Sequence, residues 1–169
     1  FVSTGFIDLD GILDGGLYAP DLTIIAGRPG QGKTSLLLGI AKNSAEKQKR
    51  VVVFSLEMSN SQVVMRIVSM DTGIPYGAMR RRRMTKEEWD LYHGAVEKYE
   101  NLTLHLNDLP AIGINAMRQT LRKIEAIHGK IDLVIVDYLQ LQASDGDYGT
   151  REQEVSSISR GLKAMAKEF

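Results

Sequence analysis

The chain has 169 residues, with 21 Lys and Arg against 21 Asp and Glu, three His and no Cys. That length suits one ordinary domain, and 43% hydrophobic with 25% charged residues excludes a mainly disordered chain. No apolar run approaches the roughly 20 residues of a membrane helix. The lack of Cys excludes a disulfide framework and a thiolate metal site. A formal net charge of 0 leaves any nucleic-acid binding to a local patch or an assembled ring of subunits.

Along the chain, strand-like and helix-like patterns alternate. Leu22–Ala26 is a short apolar run ending at Gly27 and reads as a buried strand. A Gly/Pro loop follows, then a helix over about Lys33–Lys47. Val51–Leu56, rich in β-branched residues, is the next predicted strand. A helix is expected over Ser61–Asp71 with Val63, Val64, Ile67 and Val68 on one face, broken by Gly73-Ile74-Pro75. After the polar run Arg80–Arg83, Thr85 and Glu88 have capping-box spacing. The helix they start carries Trp89, Tyr92, Val96 and Tyr99 on one stripe, which predicts core packing rather than a base-stacking platform. Leu102–Leu106 alternates like a strand. Ile114, Met117, Leu121 and Ile124 mark an amphipathic helix. Ile131–Val136 is an apolar strand ending at Asp137, residues 144–149 read as a polar loop, and a last helix runs from about Thr150 with Val155, Ile158, Leu162 and Met165 inward. Phe1 is not an initiator Met, and the last helical pattern runs to Phe169 without a stop signal. The expectation is therefore a piece of a longer protein.

Strands alternating with helices of this length predict βαβ units and a mostly parallel sheet with helices on both faces. Ligands in such sheets bind at the C-terminal ends of the strands. The loop at Gly27, Glu57 and Asp137 all sit at such ends.

Gly27-Arg28-Pro29-Gly30-Gln31-Gly32-Lys33-Thr34 fits G-x-x-x-x-G-K-[ST] at every position. Glycines let backbone N–H groups close around an anion, and the helix N-terminus adds partial positive charge. Lys33 is expected to reach the β- and γ-phosphates of ATP, with the Thr34 hydroxyl on Mg²⁺. Gly27, Gly30, Gly32 and Ser35 complete the predicted phosphate cradle; Arg28 and Gln31 receive no role. Asp137, at the end of a buried strand, can hold Mg²⁺ directly or through water, although an apolar run followed by Asp is often a plain strand end. Glu57 either polarises an attacking water or caps the helix that starts at Ser59-Asn60-Ser61. Gln140 either senses the γ-phosphate or DNA state or is a polar residue leaving a buried strand. Arg80–Arg83 reads as a solvated face rather than a phosphate contact, and His93, His105 and His128 show no ligand spacing.

Together, Gly27–Thr34, Phe54-Ser55-Leu56-Glu57-Met58-Ser59 and Asp137-Tyr138-Leu139-Gln140-Leu141 resemble the motor domain of replicative DNA helicases of the DnaB type. Thr4-Gly5-Phe6 with Leu9-Asp10 and Gly15-Gly16-Leu17 resembles the beginning of that domain, and Ile158–Lys163 with Ala166-Lys167-Glu168 resembles its late helix. Generic RecA-like ATPases share the loop and the aspartate but not this wording. The resemblance implies a RecA-like P-loop NTPase core, with residues 1–169 as the N-terminal part of the domain and the remainder absent. It implies a homo-hexameric ring with ATP between neighbours, and translocation along single-stranded DNA at a replication fork. Primase and a helicase loader are the implied partners, in the cytoplasm of a bacterium or as a phage protein there. It assigns Glu57 as the catalytic carboxylate and Asp137 as the Walker-B residue. The family's next strand, lying between the strand before the loop and the strand of Asp137, is absent here, as are the DNA-contacting loops and the arginine finger. Two other readings are a RecA/KaiC-like ATPase of recombination or signalling and a non-catalytic nucleotide-binding assembly module.

Overall fold

The computed structural model describes residues 1–110, 112–137 and 151–169. Its elements run α1 (Ile7–Ile12), α2 (Lys33–Glu46), β1 (Val51–Ser55), α3 (Asn60–Thr72), α4 (Tyr76–Arg80), α5 (Lys86–Glu100), β2 (Leu104–Asn107), α6 (Ile114–His128), β3 (Leu133–Asp137) and α7 (Arg151–Glu168). The described strands form one parallel sheet in the order β2-β1-β3.

β1 is central and buried on both faces, which is why its sequence is continuously apolar rather than alternating. Val51 and Val53 face a core with Leu38, Ala41 and Ala45 of α2, Val63, Ile67 and Val68 of α3, and Tyr99 of α5. Val52 and Phe54 face the other core, with Met117 and Leu121 of α6 and Ile158, Leu162 and Met165 of α7. The sheet thus has helices on both faces, as the α/β, RecA-like expectation requires. Asp132 fastens the start of the β1–β3 ladder by accepting the Arg50 amide at 2.9 Å and the Lys49 ammonium at 3.3 Å.

The helix boundaries follow local chemistry. Ser59 and Gln62 form a capping box on α3, and Gly73 ends that helix in the left-handed region at φ 76°. Thr85 and Glu88 form the second box, at the predicted place. The N-terminal segment is tied to α2 by the Asn43 side chain donating to the Thr4 carbonyl at 3.1 Å. Gly16 sits at φ 146°, where a Cβ would lie 2.4 Å from the Val2 carbonyl oxygen, so the Val2–Leu17 bridge requires glycine.

Two expectations change, and one element is new. Leu22–Ala26 forms no strand: Ile24 is 65% exposed, and only Leu22 packs against a core. An apolar run becomes a strand only beside a ladder neighbour, and β3 pairs with β1 alone among the described residues. Trp89 is half-buried and outside the core, in edge contact with Tyr92 and stacked on His93, while Tyr99 is buried as expected. The short helix α4 was not predicted, because five residues carry too little period to recognise. Gln140 and the loop expected over 144–149 lie outside the described residues.

Candidate nucleotide site

The glycine-rich loop runs straight into α2. Gly30 and Gly32 have φ of 79° and 83°, and a Cβ on either would meet nothing within 4 Å, so the space beside the loop is open. Gly32 is the N-cap and brings no capping side chain. The amides of Lys33, Thr34 and Ser35 therefore open the helix without intrahelical acceptors, at the positive end of its dipole. Lys33 folds back, its ammonium donating to the carbonyls of Gly27 at 2.7 Å and Arg28 at 3.0 Å. The Gln31 side-chain carbonyl accepts the Arg28 amide at 2.8 Å. Sequence reasoning missed this contact, because nothing in a G-x-x-x-x-G-K-T pattern says which way an x side chain turns.

The carboxylates come from the sheet. Ser55 and Asp137 are register partners on β1 and β3, and Asp137 is only 9% exposed. Beyond Ser55 the chain turns, held by the Ser55 hydroxyl donating to the Met58 carbonyl at 2.9 Å. Glu57 lies in that turn, exposed. It does not cap α3, a role Ser59 fills, so the capping alternative for Glu57 is excluded. Asp108, just past β2, accepts the Asn60 amide at 2.8 Å. A third acid thus marks the same sheet edge, and its role is to hold the start of α3. It too went unrecognised in the sequence, where Asp108 follows Asn107 after an alternating run rather than closing a continuous apolar one.

The loop and the carboxylates share one edge because of how α2 runs. Only residues 47–50 join α2 to β1, and α2 packs on β1 and β3 through Leu38, Ala41 and Ala45. The helix must therefore run antiparallel to the strands. Its 14 residues span about 21 Å, against about 17 Å for the five residues of β1. The start of α2 thus reaches the level of the strands' C-terminal ends, where ligands bind in open parallel sheets.

A family model for the DnaB-like helicase C terminal domain matches residues 2–169. The chain belongs to this family. It is 39% identical over 169 residues to a probable replicative DNA helicase of Guillardia theta, covering 99% of this chain and 28% of that protein. It is 38% identical over 170 residues to the replicative DNA helicase DnaB of Geobacillus stearothermophilus, covering 99% of this chain and 37% of that one. Among solved structures, one described as an ATPase domain superposes with a TM-score of 0.90 at 29% identity, over 99% of this chain and 60% of that one. A DnaB-like replicative helicase studied with primase gives the same TM-score and identity, over 40% of its chain. The chain therefore spans well under half the length of these curated relatives.

Membership in the DnaB-like family separates this chain from the RecA/KaiC-like alternative. The other sequence candidates keep modest places. Arg80–Arg83 are all exposed, and no ion pair among the described residues engages them. His105 and His128 pair ring to ring at 4.8 Å between centroids, and His93 stacks on Trp89. Among the described residues no three His, Cys, Asp or Glu converge as a ready metal cage. Mg²⁺ in phosphoryl-transfer sites is held instead by one or two protein oxygens and the substrate's phosphates. Thr34 and Asp137 supply hard oxygen donors of that kind. No helix among the described residues is long and apolar enough to cross a membrane.

Proposed function

We propose that this chain is the nucleotide-binding part of a replicative DNA helicase motor. In that reading residues 1–169 are the N-terminal part of the ATPase domain, and the whole protein hydrolyses ATP to move along single-stranded DNA and unwind the duplex at replication forks. The observation that carries the reading is the arrival of the glycine-rich loop, Asp137 and the Glu57 turn at one edge of the sheet. Family membership adds weight.

The residues divide the work by chemistry. The amides after Gly32 and the Lys33 ammonium bind the β- and γ-phosphates, with Gly27 and Gly30 keeping the loop's backbone accessible and Ser35 closing the first turn. Thr34 and Asp137 hold Mg²⁺, which when bound neutralises charge on the phosphates. Glu57 orients the attacking water and accepts its proton. Gln140 is proposed as the residue that senses the γ-phosphate. A cation from a neighbouring subunit in a six-membered ring completes the charge balance. Primase and a loader are the proposed protein partners, in the cytoplasm of a bacterial cell.

The test is ATP hydrolysis by the full-length protein with and without single-stranded DNA, beside Glu57→Gln. DNA-stimulated turnover that falls 10²- to 10⁴-fold in the variant, roughly the range for a lost general base, with nucleotide binding retained, supports the reading. Turnover indifferent to DNA overturns the motor, and equal loss of binding in the variant overturns the role of Glu57.

A further inference from the structure

We propose that Gln31 is a latch on the phosphate loop, a positioning residue that favours a state with Lys33 parked on backbone carbonyls, which nucleotide must open. This rests on the reading of Gly27–Thr34 as the phosphate-binding loop. The geometry centres on one peptide group, the bond between Gly27 and Arg28. Its N–H donates to the Gln31 side chain at 2.8 Å, and its carbonyl accepts from the Lys33 ammonium at 2.7 Å. In a trans peptide these two groups point in opposite directions, so Gln31 and Lys33 grip one plane from its two sides. By fixing the N–H, Gln31 fixes the carbonyl toward Lys33. The Arg28 carbonyl, at 3.0 Å, takes a second of the three ammonium protons.

Gly27 is part of the device. A Cβ there would lie 3.1 Å from the Gln31 amide oxygen, so a side chain at 27 would crowd the latch. Two arms reach back over the loop, from positions 31 and 33, and both end on residues 27–28. The Lys33 ammonium cannot keep both carbonyls and also turn onto phosphate oxygens. Nucleotide therefore competes with these bonds. Because the loop is exposed, the competition is mild, and the loss of one such hydrogen bond is worth roughly a three- to tenfold change in an equilibrium constant.

The sign separates a latch from a simple scaffold. If Gln31 shaped the loop for phosphate, removing it would weaken binding; as a latch on the free state, removing it tightens binding. In the full-length protein, Gln31→Met keeps the side chain's length and loses the amide acceptor, and Gln31→Ala removes both. We expect both variants to bind a fluorescent ADP–Mg²⁺ roughly three- to tenfold more tightly. They should also raise kcat/KM for ATP by the same factor, since kcat/KM compares the free enzyme with the transition state. Unchanged or weaker binding in both variants overturns the latch. Lys33→Ala runs alongside: if it binds nucleotide as well as the parent protein does, the phosphate reading itself fails. If it loses binding while Gln31→Met is unchanged, only the latch fails.

Discussion

Ser55 of β1 and Asp137 of β3 are paired in register across the parallel ladder, and the Leu56 amide donates to the Asp137 carbonyl at 2.7 Å. The backbone of Asp137 thus belongs to the sheet, while its carboxylate takes no side-chain partner among the described residues. Its side chain can be changed without breaking the ladder. Asp137→Asn keeps the shape and removes the charge. In the intact protein we expect ATP turnover to fall on the order of 10²-fold or more, the scale for losing one electrostatic partner in phosphoryl transfer, with a raised Mg²⁺ requirement. A Mg²⁺ titration of the ATPase rate is the measurement. A variant with parent activity at ordinary Mg²⁺ would leave Asp137 as a strand end only.

How much of this was readable beforehand depends on whether the signal is local. The apolar block at Val51–Leu56, the stripe Ile114–Met117–Leu121 and the Thr85–Glu88 box are properties of short segments, and each became the expected element. Leu22–Ala26 looks just as strand-like, yet a strand is a relation between two segments, and this one has no ladder partner among the described residues. The site divides in the same way. The spacing of the loop motif singles out Gly30, Gly32 and Lys33 as candidates, and the apolar run before Asp137 singles out that residue. From spacing alone Glu57 could equally have been a helix cap. Only the sight of Ser59 filling that position separates the two. Gln31 and Asp108 act through side-chain direction, which no one-dimensional pattern carries.

Phe54 joins stability to the site. It is fully buried, lies on β1 one residue before Ser55, and packs in the core with α6 and α7. Truncation to Ala removes a large buried ring and leaves a cavity, so Phe54→Ala should cost about 3–5 kcal/mol. Phe54→Leu should cost clearly less, because most of the volume is kept. Chemical denaturation of the two variants gives the comparison. Similar small losses in both would mean that this face of β1 is loosely packed. Because the Glu57 turn begins just beyond this residue, ATP turnover should fall in the Ala variant even below its melting temperature.

His105 on β2 makes stability sensitive to mild acid. Burial lowers its pKa below the usual 6.5, and the neighbouring His128 and Arg50 charges add to the effect. With the folded value lower than the unfolded one, the unfolded chain takes up the proton first as pH falls. The stability is fully present above about pH 6.5 and declines as pH drops below it. His105→Gln should flatten that slope between roughly pH 7 and pH 5, read by urea melts at several pH values. An unchanged slope would place the titration elsewhere.

Asp10 governs a lower pH window. The Ser3 hydroxyl donates to its carboxylate at 2.6 Å, the Thr4 hydroxyl at 2.7 Å and the Thr4 amide at 2.8 Å. These donors, Ser3 foremost, bring its pKa down from 3.8 to about 2. The bonds favour the ionised form, so the folded protein resists protonation that the unfolded chain accepts. Their contribution is therefore complete above about pH 4 and is lost as pH falls toward about 2. The same residues connect onward, because the Thr4 and Ser3 carbonyls accept from Asn43 and Ser44 of α2. Loosening Asp10 therefore frees the N-terminal segment from the helix that carries the phosphate loop. Asp10→Asn keeps the size but loses the charge, so it should be less stable than the parent at pH 5, with the gap narrowing as pH falls toward about 2. Urea melts of both proteins across that range give the measurement. A gap between them that stays constant with pH would show that shape, not charge, holds this turn.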